Sequence, residues 1–241
     1  MMPRPIPILA LLGFALALRS GAHADPAPGD RFEHDMMVRF HMHENFGVLR
    51  VMERGLIHGK IDEAHDLADA IARAPDEPGT GAWVVQIKRV RERAAALAKT
   101  TSVNEALRDE AWLAAACGSC HVDSGAQPEF SARPAVPADR GTIESRMARH
   151  LWASDRLWEA MLGNADAPWR AGLDVLAATP LPASELGSDR VALGKQLQSQ
   201  ASDARAQRST LDLSGRAAAY GEILVTCAAC HAKKPANEAS R

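Results

Sequence analysis

The chain has no excess of basic charge, no strand-like alternation of Val, Ile and Thr, no second long apolar run, and no cysteine outside two short motifs. Its formal charge of −2 leaves no basic field of the kind that nucleic acid attracts. Without period-two patterning there is no sheet to predict, and what remains is helical. The only sustained apolar stretch, Ile6–Leu18, has 13 residues. That is short of the roughly 20 a helix needs to cross a bilayer. With Arg4 before it and Ala22-His23-Ala24 after it, residues 1–24 read instead as a secretory signal peptide, cleaved before Asp25. Its removal takes away Arg4 and Arg19 and no acid, so the charge moves from −2 to −4. The expectation is a soluble periplasmic protein.

The four cysteines are used twice over, in Cys117-Gly118-Ser119-Cys120-His121 and Cys227-Ala228-Ala229-Cys230-His231. C-x-x-C-H is the attachment signature of a c-type haem. On a helix, residues three and four apart share a face. Both sulfurs then reach the haem vinyls while the histidine reaches the iron from the same side. The rival readings are a thioredoxin-type redox pair, a structural disulfide or half of a zinc site. A redox pair wants a strand before its helix, whereas helix-forming Ala111–Ala116 and Ala217–Thr226 precede these motifs. Two c-type haems are therefore expected, with Cys117, Cys120, Cys227 and Cys230 as attachment points and His121 and His231 as proximal ligands.

The motifs lie 110 residues apart, and the halves repeat weakly. Amphipathic segments Arg31–His58 and Thr142–Leu162 open them, followed by breaks at Gly59 and Gly163. Shorter helical patterns come next, Asp62–Ala74 and Pro168–Ala178, then Pro-bearing connections and the long segments Trp83–Lys99 and Ser184–Arg208. The fourth segment of each half ends in C-x-x-C-H, the first opening on a capping box, Ser102-Val103-Asn104-Glu105. The organisation predicted is a signal peptide (1–24), haem domain 1 (25–125), a Pro-rich linker (126–140) and haem domain 2 (141–241). The fold class is all-α, as two tandem four-helix bundles. Of the eleven aromatics five are tryptophan, and Trp83, Trp112, Trp152, Trp158 and Trp169 are read as core filler around a porphyrin.

A four-helix bundle with C-x-x-C-H near the end of its last helix, and ten residues after His231, resembles the cytochrome c′ group of class II c-type cytochromes. The resemblance covers about Arg31–His121 and again Thr142–His231. It implies that the residue facing the open side of each iron comes from the first helix of its half.

Periodicity there gives two stripes, Phe32, Met36, Phe40, His43, Gly47, Val51 and Ile143, Met147, His150, Ser154, Trp158. An offset of 107 superposes His43 on His150 and Arg39 on Arg146. His43 and His150 are the distal candidates, against rivals His41, Met36, Met37 and Met42 in the first half and Met147 in the second. This departs from the cytochrome c′ pattern, which leaves that side to an apolar residue or methionine. His34, His58 and His65 are read as solvated. Two nitrogen ligands per iron imply a periplasmic dihaem electron carrier working with an unnamed redox partner protein. A five-coordinate iron implies a protein that binds or senses nitric oxide or carbon monoxide. No paired carboxylates or acid/base constellation can be placed near either motif, so an enzyme such as a dihaem peroxidase ranks last. Lys233 and Lys234 are read as a solvated pair.

Overall fold

The computed structural model describes residues 28–75, 80–126, 128, 130, 135–207 and 212–232, with side chains from residue 36 onward. The expected signal peptide and the Lys233-Lys234 pair lie outside the described residues, as does the His34 side chain.

The described residues form helices and no strand: α1 (Pro28–Ile57), α2 (Ile61–Arg73), α3 (Val84–Leu97) after a 3-10 turn at Thr80–Trp83, α4 (Val103–Ser124), α5 (Ile143–Leu162), α6 (Asp166–Ala177), α7 (Ser188–Ala206) and α8 (Leu213–Ala232). Local chemistry sets several ends. The Ser102 side chain accepts from the Glu105 N–H at 3.3 Å, as a cap should. The Glu105 carboxylate reaches back one residue further than a capping box requires, to the Thr101 N–H at 3.2 Å. Thr142 caps α5 in the same way through the Ser145 N–H. α4 stops at Gly125, whose φ of 71° lies in the left-handed region that glycine enters without strain.

Packing follows chain order and then closes. α1 lies on α2, α2 on α3, α3 on α4, and α4 returns to α1; α5 to α8 repeat the ring. The halves are joined chiefly along α4 and α8, with further contacts of α4 to α5 and α1 to α8. Small residues let these helices approach. A Cβ on Gly118 would stand 2.1 Å from the Met161 carbonyl oxygen, and one on Gly221 would be 3.2 Å from the Arg108 Cα. Leu56, Leu107 and Leu113 from the first half share one continuous core with Leu157, Trp158 and Leu224 from the second. The expected linker takes part, since Phe130 packs on that core with its ring 6.4 Å from that of Phe46.

Polar groups also cross between the halves. Glu53 of α1 is buried and accepts from four donors: Arg50, Ser154 Oγ at 2.9 Å, Tyr220 OH at 2.6 Å and the Trp158 indole N–H. Arg50 also pairs with Asp155. Burial works against the Arg50 charge, and Glu53, Tyr220, Asp155 and Glu110 more than offset it, so its pKa is raised.

Candidate functional site

Each C-x-x-C-H falls in the last turns of its helix, α4 or α8, so the two cysteines and the histidine come round to one side. In each half that side faces a cavity with largely apolar walls. Cys117, Cys120 and His121 border the first, together with Leu49, Trp83 and Leu113. Cys227, Cys230 and His231 border the second, with Leu157, Leu197 and Ile223. The space between the walls, mouth included, is about 1080 Å³ in the first and about 1250 Å³ in the second.

None of the four thiols is in a disulfide. Burial pushes the Cys117 and Cys227 thiols up to about 12, and raises those of Cys120 and Cys230 as well. A thioredoxin-type nucleophile needs its thiol pKa lowered, so this environment is the opposite of what dithiol redox chemistry requires. No three His, Cys, Asp or Glu side chains among the described residues converge as a metal-ion cluster, which leaves the zinc reading without its further ligands. The donor set and its apolar surroundings fit a covalently held haem: neutral thiols for the thioethers, one imidazole beside them, and an adjoining apolar space.

His121 is oriented by the other half. Its Nδ1 lies 2.9 Å from the Leu162 carbonyl oxygen at the end of α5, a contact that makes Nδ1 the protonated nitrogen and leaves the Nε2 lone pair for a metal. His231 is faced instead by the ring of His58, with centroids 4.9 Å apart and planes at 85°. Burial, His58 and Arg190 all lower the His231 pKa, which favours the neutral imidazole that a metal takes.

No protein-family model, curated protein or solved structure matches this chain.

On the first helix of the second half, Met147, His150 and Ser154 of the expected stripe line the second cavity. His150 has its pKa lowered, chiefly by burial, and its Nε2 lies 3.3 Å from the Thr179 carbonyl oxygen, so Nδ1 carries the free lone pair in this arrangement. In the first half the structure places the histidines differently. His43 is exposed and absent from the cavity wall, on the outward face of α1 with Met36, Phe40 and Val51. The inward face carries Val38, His41, Met42, Asn45, Phe46 and Leu49. Among the described histidines of α1, His41 is thus the one that reaches the first cavity.

The register explains the difference. Wall residues Met42/Met147, Asn45/His150, Phe46/Leu151 and Leu49/Ser154 are each 105 residues apart, whereas Leu113/Ile223 and the motifs keep a spacing of 110. The two-residue difference between offsets of 107 and 105 is a rotation of about 200° on a helix, enough to exchange one face for the other. Asn45, not a histidine, stands where His150 stands in the second cavity.

Sequence reading missed Asn45, Glu53, His58 and Tyr220. Glu53, His58 and Tyr220 all line the second cavity, two of them brought there from the first half by α1. No local pattern announces a residue that serves the opposite half; signals for the 105 register are Met42/Met147 and the apolar pairs Met52/Leu157, Leu56/Met161 and Ile57/Leu162. His65 is half-buried with its Nε2 3.2 Å from Thr100 Oγ1. Of the tryptophans, Trp158 and Trp169 are fully buried, and Trp83 borders the first cavity.

Proposed function

We propose that this protein is a periplasmic dihaem c-type cytochrome that carries electrons between redox partner proteins, its two haem units being a tandem pair of four-helix bundles that pack together. The observation that carries this reading is the placing of both sulfurs and the histidine of each C-x-x-C-H on the wall of its own apolar cavity. Cys117 and Cys120 hold one haem, Cys227 and Cys230 the other, with His121 and His231 as proximal ligands. A haem so held supplies one-electron redox chemistry. His150 is the second ligand in the second cavity. His41 takes that part in the first, replacing the expected His43. Two imidazoles keep the potential below that of a His/Met site, where methionine raises it. The protein is read as a carrier and not as an enzyme, because Glu53, the one carboxylate among the described residues on the wall of the second cavity, is held by four donors.

Asn45 favours a second reading for the first site alone. With an amide where His150 stands in the second, that iron has an open side for carbon monoxide or nitric oxide. Absorption spectra of the ferrous protein with and without carbon monoxide decide between them. The carrier reading predicts unchanged bands at both haems, and the second reading a shift at one. A shift at both, or the absence of haem bands altogether, contradicts the proposal. In the carrier, His150→Ala opens the second haem to carbon monoxide while leaving the first unchanged.

A further inference from the structure

Both motif histidines are backed by the opposite half, and from equivalent places. At the 105-residue spacing that aligns the cavity walls of α1 and α5, Ile57 at the end of α1 corresponds to Leu162 at the end of α5. The Leu162 carbonyl takes His121, and the residue just after Ile57 is His58, whose ring takes His231. One site uses a backbone carbonyl where the other uses an imidazole.

We propose that His58 is the positioning residue of the second site, holding the His231 ring in orientation and thereby setting how strongly it donates to a bound iron. The inference rests on the haem reading above. An edge-to-face contact between two rings fixes the plane of one against the other, and the orientation of a ligating imidazole is among the features an outer-shell neighbour controls. His58 stands beside His231 and does not oppose it across a metal. Two imidazoles bonded to opposite sides of one metal at about 2 Å have centroids about 6 Å apart, more than the 4.9 Å between these rings. Removing His58 therefore frees the His231 ring to turn, which changes how it meets a bound iron at the second site alone.

The test uses the exported full-length holoprotein and its His58→Leu and His58→Gln variants, with haem content by denaturing mass spectrometry and a redox titration followed by absorbance. His58 is exposed just beyond a helix end, so neither change disturbs the core. In His58→Leu one of the two midpoint potentials shifts while the other stays, and His58→Gln, which likewise removes the ring, shifts the same one in the same direction. Unmoved potentials, or both moving together, overturn the assignment, even if the melting temperature falls. If His58→Leu fails to accumulate, the Gln variant is judged by the same criterion, a shift at one haem only. Lack of haem in the unsubstituted protein defeats the underlying reading, a result distinct from two haems with potentials indifferent to His58.

Discussion

Glu110 is wholly buried in α4, and neither of its carboxyl oxygens has a hydrogen-bond partner among the described residues. Burial, followed by the nearby Glu53 carboxylate, pushes its pKa well above the ordinary carboxylate value, against the pull of Arg50. The sign of its effect follows from linkage. A group whose pKa is raised on folding contributes its full stability below the unfolded pKa of about 4.3, and that contribution is lost as pH rises toward the folded value. Glu110→Leu is therefore expected to stabilise the protein at pH 7 by about 1–3 kcal/mol, in line with apolar replacement of a buried charge. Denaturant titrations at pH 5 and pH 8 check this, the variant losing less stability between the two than the unsubstituted protein. Residue identity alone gave no hint of this, because Glu110 reads in sequence as an ordinary helix former; its cost comes from α1 and α8 closing over it. The four cysteines and their histidines stood out for the opposite reason, each set occupying five consecutive positions, and each lies on the wall of its own cavity.

Helix positions were legible nearly throughout, since periodicity and punctuation agree: Gly59 and Gly163 follow α1 and α5, and proline-bearing connections follow α2 and α6. Which face of α1 turns inward was not. Met36, Met37, Phe40, Met42 and Val51 are exposed there, so apolarity does not distinguish the faces of this helix. Two changes test the element-level account. Ser102→Ala removes the cap of α4 and is expected to cost about 1 kcal/mol in chemical denaturation. Gly118→Ala places a Cβ against the Met161 carbonyl and is expected to cost about 1–3 kcal/mol, the range of overpacking. Because Leu162 adjoins Met161, the Gly118 substitution also moves the carbonyl that orients His121, so in the proposed cytochrome its effect on potentials falls on the first site.

At the scale of the whole molecule, the halves exchange support. Leu162 serves the first cavity and Glu53 and His58 the second, while Glu53 gathers Trp158, Ser154 and Tyr220 across the joint. Sequence showed two similar halves and left open whether they hang on a flexible tether. The contact between them depends on Gly118 and Gly221, whose role is visible only when α5 and α4 are seen pressed against them. Cavities built partly by the other half also explain how two closely repeated motifs come to sit in unlike surroundings, with the Leu162 carbonyl beside one motif histidine and the His58 ring beside the other. The most direct test of the central claim is the mass of the purified exported chain under denaturing conditions. Covalent attachment at both motifs predicts a polypeptide carrying two haem masses, both lost in the Cys117, Cys120, Cys227 and Cys230 to Ser variant. A polypeptide carrying one such group, or none, contradicts it.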